Sequence, residues 1–188
     1  MKGIVFNLLE EVVRRQYGED AWDEMLDRAN VRGSYTSLGS YSDDDMTALL
    51  GAASQMLAMP AGDVLRWFGR EAMADLAARY PVFFEPHRSA RTFVLSVNSI
   101  IHPEVRKLYP GSICPHFDFE ESADGMLAMT YRSPRHLCQL AHGFIEGASA
   151  HYGETVDCRH SACTLRGDER CRFEIRWGRE RAFTCTAA

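Results

Sequence analysis

The spacing of apolar residues changes along this chain, and the change sets the fold class. Ile4, Val5, Leu8, Leu9, Val12 and Val13 recur with a period near 3.6, which predicts a helix with a wide apolar stripe. Gly18 closes it. A short helix follows at Asp20 to Arg28, carrying Trp22, Met25 and Leu26, and a Ser-, Gly- and Tyr-rich connection covers 30–41. Ser42 reads as the N-cap of a third helix reaching Met59, with Asp43, Asp44 and Asp45 in the first turn, where acids favour the helix dipole. After a break at Pro60 to Asp63, a fourth helix spans 63–79, an apolar linker is bracketed by Pro81 and Pro86, and a fifth helix covers Ser89 to Ser99. From residue 113 the period drops to two. Phe117-Asp118-Phe119 and Met126 to Tyr131 alternate on either side of a turn at Ala123-Asp124-Gly125. Pro134 to Ala150 returns to the helical period and is bounded by Gly153. Cys171, Phe173, Ile175 and Trp177 then share one face of a final hairpin with Gly167-Asp168 at its turn, and Arg170, Arg172, Glu174 and Arg176 share the other. The expectation is α+β: a helical N-terminal part, then a helix with an antiparallel sheet.

With 188 residues and 46% hydrophobic content, the chain suits a single domain with a sizeable core. We place it at 1–180, with 181–188 as a short tail. The formal net charge is −5 and the Lys and Arg residues are scattered, which argues against nucleic acid or an anionic membrane as the main partner. No apolar run approaches the roughly 18 residues of a membrane span. The apolar start is interrupted by Asn7, Glu10 and Glu11 and lacks a small-residue cleavage site, so it does not read as a signal peptide. A cytoplasmic protein is expected. Its six cysteines, Cys114, Cys138, Cys158, Cys163, Cys171 and Cys185, should then be reduced, and a close group of them points to metal before disulfide.

Three constellations carry chemistry. Tyr131-Arg132-Ser133-Pro134-Arg135 places a phenol, a hydroxyl and a guanidinium at i, i+2 and i+4, on one face of an extended backbone. Ser133 suits an N-cap and Pro134 the first helical position. The three donors form a fork for a carboxylate or phosphate. His102, between aliphatic residues and Pro103, fits first a core histidine bonded to a carbonyl; a neutral imidazole in such a setting also holds a haem iron from one side. The apolar residues of the helical half are numerous enough to enclose a flat macrocycle. His160, Cys163 and Cys171 supply three soft ligands within a short stretch, and Cys138 on the preceding helix is available as the fourth for a tetrahedral ion. Reduced cysteines filling a small core are the alternative. No catalytic set, Gly-rich phosphate loop or effector domain is visible, so any output requires another protein and an enzyme is not expected.

Met1 to Asn7, the His102-Pro103 pair, Pro115 and Tyr131-x-Ser133-x-Arg135 together resemble the haem nitric oxide/oxygen binding (H-NOX) family, over about residues 1–180. The resemblance implies haem b, with His102 as the proximal iron ligand and Tyr131, Ser133 and Arg135 as the propionate clamp. It makes Pro115 the proline that presses on the macrocycle, and Trp67 an aromatic position shared with relatives. It also implies Zn2+ at Cys138, His160, Cys163 and Cys171. Cys158 is a possible substitute, because it faces the same side of a strand as His160.

Oxygen-binding members of that family carry a tyrosine that donates to bound O2. The matching position here, five past Arg135, is Leu140; the other distal candidates, Val5, Leu9, Ala74 and Phe144, are apolar too. A polar O2 adduct without a donor is penalised by roughly 1–3 kcal/mol, whereas NO and CO need the donor much less. The expectation is a sensor that binds NO and CO, excludes stable O2 binding, and regulates a histidine kinase or a cyclic-di-GMP enzyme through movement of the His102 segment. The alternatives are a haem enzyme, a peroxidase or an NO-detoxifying catalyst, which would need distal acid–base residues, and a zinc-stapled redox or interaction module.

Overall fold

The computed structural model describes residues 1–179; Cys185 and the expected tail at 181–188 lie outside the described residues. Four helices come first: α1 (Gly3–Tyr17), α2 (Glu19–Ala29), α3 (Asp43–Leu57) and α4 (Ala61–Arg79). Ser42 caps α3 by accepting a hydrogen bond from the Asp44 N–H at 3.0 Å. The apolar stripe of α1 meets the inner faces of α2, α3 and α4 in a core that includes Phe6, Trp22, Met25, Leu49 and Phe68, all fully enclosed.

The second half is a four-stranded antiparallel sheet and one long helix. The strands β1 (His116–Glu121), β2 (Leu127–Arg132), β3 (Glu154–Ala162) and β4 (Cys171–Arg179) lie in the order β1-β2-β4-β3. Helix α8 (Cys138–His151) covers one face, and Leu127, Met129, Phe173 and Ile175 from the central strands are buried in this second core.

Helices α4 and α8 bring the two cores together, and glycine makes their approach possible. A Cβ on Gly143 would lie 2.0 Å from the Arg66 carbonyl oxygen, and one on Gly69 would lie 2.6 Å from that of Leu140. Arg66 closes the seam with a charge-assisted pair to Glu146.

Between the halves run α5 (Pro81–Phe84), α6 (Ala90–Ser96), a π turn at Val97–Ile101 and α7 (His102–Leu108). The expected fifth helix is therefore longer and interrupted. The π turn inserts one residue, with the His102 N–H reaching back to the Val97 carbonyl, and Pro103 then sits in the first turn of α7, where its missing N–H costs nothing. Helix α5 forms within the stretch between Pro81 and Pro86 that the sequence reads as a linker.

One boundary is a correction. The helix after the Tyr131 motif does not start at Pro134 with Ser133 as its cap; it starts at Cys138. The Ser133 hydroxyl accepts from the Arg135 N–H at 3.2 Å, the Leu137 N–H donates to the Tyr131 phenol oxygen at 3.1 Å, and His136 is left-handed at φ 54°. These contacts close a turn over 133–137, and the left-handed His136 stops the helix from extending back through it.

Candidate functional site

A cavity of about 450 Å³ lies where the helical half meets the sheet, within the range of small-molecule and cofactor sites. Val5, Phe68, Met73, Leu140 and Phe144 line it from α1, α4 and α8; Ile101, Val105, Phe117 and Met129 line it from the opposite side. His102 opens α7 in the same wall, and its ring lies 5.8 Å from that of Phe117. Burial, then the charges of Arg106 and His116, push the His102 pKa down to about 4, against an opposing contact with the Pro115 carbonyl. The imidazole is thus neutral at pH 7, with a ring nitrogen free to act as a ligand. Pro115 lines the cavity beside it.

Tyr131, Ser133 and Arg135 all line the cavity, though not as alternate residues of one strand. Strand β2 ends at Arg132, so the turn over 133–137, rather than strand alternation, brings Ser133 and Arg135 round. Burial raises the Tyr131 pKa, so its phenol stays protonated. Arg135 donates through Nε to Asp43 at 2.8 Å and through Nη1 to the Ile113 carbonyl at 2.9 Å. Asp43 also takes an ion pair from the Met1 amino group at 2.8 Å.

Three residues expected at the cavity do not line it: Leu9, Trp67 and Ala74. Helical phase is the reason. Val5 and Leu8 face the cavity, and Leu9, about 100° further round, is buried in the helical core. On α4 the lining residues are Phe68, Met73 and Leu76; Ala74 is exposed, and Trp67 packs its ring against Tyr17. Conversely, Tyr80 and Tyr109 line the cavity with their hydroxyls in hydrogen-bond contact. Burial and that contact push Tyr109 up to about 12. Both stand at helix ends, where periodicity carries no signal. On α8, Leu140 and Ala141 line the wall and Gln139 and His142 do not; nor does His136, in the turn before it.

A second constellation lies at the N-terminal end of α8. The ligand atoms of Cys138, His160, Cys163 and Cys171 all lie within 4.8 Å of one another. Cys138 and Cys163 Sγ are 3.7 Å apart. Three S donors and one N donor around a common centre are the donor set of a tetrahedral site. The His160 ring stacks on Phe173 at 4.1 Å, and neither of its nitrogens has a hydrogen-bond partner among the described residues. Such a buried, unpaired imidazole suits a metal ligand. Burial would raise the Cys171 thiol, but hydrogen bonds with Thr164, Cys138 and Cys163 together outweigh it and lower its pKa. Cys158 is not in the group: it stands two residues, about 7 Å, further along β3, and burial pushes it up to about 12.

The family model described as Haem-NO-binding matches residues 2–160. The chain belongs to the haem-NO-binding family. Among solved structures it is similar to an H-NOX protein from S. oneidensis in the Fe(II)NO state, at 31% identity, covering 95% of this chain and 99% of that one with a TM-score of 0.88. An Fe(II)CO structure of the H-NOX domain from Shewanella oneidensis gives 31% identity, 95% and 99% coverage and a TM-score of 0.85. The H-NOX from Shewanella woodyi in the Fe(II)CO state gives 26% identity, 93% coverage of each chain and 0.78. The helical part and the four-stranded antiparallel sheet are the H-NOX fold, and membership makes the chain a haem-based gas sensor. The cavity suits the family's cofactor: an apolar slot, one neutral imidazole in its wall, and a guanidinium, a phenol and a hydroxyl at its edge for carboxylates. No single described helix is long and apolar enough to cross a membrane.

Proposed function

We propose that the chain is a sensor of NO, also open to CO, that does not hold O2 stably and that regulates a separate signalling enzyme. The observation that carries this reading is the pairing, in one cavity, of a neutral His102 with apolar Leu140, Phe144 and Val5. Haem b, when bound, supplies a ferrous iron able to take a diatomic gas. His102 would hold that iron, Tyr131, Ser133 and Arg135 would grip the propionates, and Pro115 would press on the macrocycle. The side chains of Leu140 and Phe144 have no hydrogen-bond donor to offer O2.

His102 is placed to report what happens in the cavity. It lies between a π turn and a short helix, and π turns recur at functional sites. A shift of His102 is passed along α7 to the surface, where Leu108 is exposed. A two-state element biased by a ligand is what a switch requires. The receiving enzyme is of the histidine kinase or cyclic-di-GMP class, in the cytoplasm. Zn2+ at Cys138, His160, Cys163 and Cys171 ties α8 to the β3–β4 hairpin as a structural ion.

Absorption spectra of the ferrous protein test the reading. The Soret band should move with NO and with CO, and air alone should produce no oxy band. A Soret band indifferent to NO, or a lasting oxy spectrum in air, would sink it. His102→Gly should lose haem and regain it when imidazole is added.

A further inference from the structure

Arg135 sits on the cavity wall with its guanidinium already engaged on two sides. Its Nε donates to Asp43, in the first turn of α3, at 2.8 Å, and its Nη1 donates to the Ile113 carbonyl at 2.9 Å. Its Nη2 has no protein partner among the described residues. A guanidinium is a planar fork, so two fixed corners fix the third. The Arg135 side chain is 19% exposed and that of Asp43 is 49% exposed. Asp43 does not lie among the cavity-lining residues.

We propose that Asp43 is a positioning residue of the anion clamp: it holds Arg135 so that the Nη2 corner is presented to a carboxylate of the cavity's ligand. This rests on the reading of the cavity as a haem site with Arg135 in its clamp. The alternative, in which Asp43 competes with that carboxylate, requires both to claim the same corner; Asp43 takes Nε and leaves Nη2. Half-exposed ion pairs add little to folding stability, so what Asp43 contributes here is orientation. A long, flexible side chain otherwise loses rotamer freedom on binding. Asp43 is depressed below the usual carboxylate range despite partial burial, through the Met1 amino group and Arg135, and remains charged at pH 7.

The test is the rate of ferric haem loss from the holoprotein to an excess of apomyoglobin. Asp43→Asn should lose haem roughly three- to tenfold faster than the parent. Asp44→Asn, which removes the same charge from the same turn, should not. With the haem dimethyl ester, which has no carboxylates, Asp43→Asn and the parent should lose the ligand at equal rates. Equal rates with ordinary haem would overturn the proposal, and slower loss from Asp43→Asn would establish competition instead. A difference that persists with the ester would reduce Asp43 to a structural residue. Arg135→Gln separates the two levels: if it leaves the loss rate unchanged, the clamp reading fails; if it speeds loss while Asp43→Asn does not, only the role of Asp43 fails.

Discussion

Asn98 holds Phe117 by both of its backbone groups. Its Nδ2 donates to the Phe117 carbonyl at 2.5 Å, and its Oδ1 accepts from the Phe117 N–H at 3.2 Å. Asn98 lies in the π turn that precedes His102, and Phe117 is the second residue of β1. The histidine-bearing segment is thereby latched to the edge of the sheet. Asn98→Ala leaves two backbone groups of β1 without their partner, and a buried unpaired group costs about 1–3 kcal/mol. Chemical denaturation should show a stability loss of that order. Asn98→Asp retains the acceptor and loses the donor, and should fall between the two; a loss below about 0.5 kcal/mol for Asn98→Ala would mean that the latch is fully replaced by water.

Leu140 is the simplest residue with which to test gas selectivity. It lines the cavity from α8, one turn before Phe144. Leu140→Tyr adds a phenol at a position that already faces the site. A hydrogen bond to a polar adduct is worth about 1–3 kcal/mol in a dry pocket, which corresponds to roughly five- to 150-fold slower O2 release. The variant should show an oxy spectrum in air that the parent lacks. Unchanged behaviour in air would move the selectivity elsewhere, to the hydroxyls of Tyr80 and Tyr109.

The four-residue Cys/His group predicts a metal content. One equivalent of zinc should accompany the purified protein, and Cys163→Ala should reduce it well below that. Cys158→Ala should leave it unchanged, since Cys158 stands outside the cluster. Removing a chelated ion should also lower thermal stability, because β3, β4 and α8 each contribute a ligand and would lose their common anchor. Elemental analysis of the three proteins and their melting curves provide the check. A zinc content that falls only in Cys158→Ala would reassign the ligand set.

These features differ in how legible they are from sequence. His102, the Tyr131-x-Ser133-x-Arg135 motif and the Cys/His group are visible because their chemistry is carried by residue type and short spacing. The sheet faces are visible because Phe173 and Ile175 alternate with charged residues. Helical phase is not, once a stripe is wide: Leu8 and Leu9 are both apolar and both buried, yet only Leu8 faces the cavity. A π turn has no residue signature, and Pro103 masks the start of α7. Asp43 looked like helix-dipole chemistry alone, and its pairing with Arg135 comes from tertiary contact between residues far apart in the chain.

Gly143 sets the distance between the two halves. A Cβ there would meet the Arg66 backbone at 2.0 Å, so a methyl group cannot be absorbed by rotating a side chain. Gly143→Ala must push α8 away from α4, as overpacking does at a cost of typically 1–3 kcal/mol. The same displacement shifts Leu140 and Phe144, which flank Gly143 on α8. The variant should be destabilised by that amount and should show a displaced Soret maximum. Gly51→Ala, inside α3 where a Cβ meets nothing within 4 Å, is the control: it should leave the Soret maximum in place and cost no stability, since alanine favours a helix interior over glycine.

Acid should destabilise the protein freed of haem and metal, over a window set by its histidines. Burial pushes His102 and His160 down to about 4, and lowers His142 as well. In the unfolded chain each titrates near about 6.5. Between those values the unfolded state holds more protons than the folded one, so stability rises with pH there and is lost as pH falls from about 6.5 towards 4. Above 6.5 both states hold these groups neutral and they add no slope. Glu146, depressed despite its burial by Arg66, acts in the same sense at lower pH, because its contribution is present only while it is ionised. Urea midpoints at pH 7.5, 6 and 4.5 should fall in that order, and His102→Phe should flatten the decline between 6 and 4.5, since it removes one of the groups that the folded state keeps neutral. A midpoint that holds steady to pH 4.5 would mean that these imidazoles accept protons in place, with enough water around them to cancel the effect of burial.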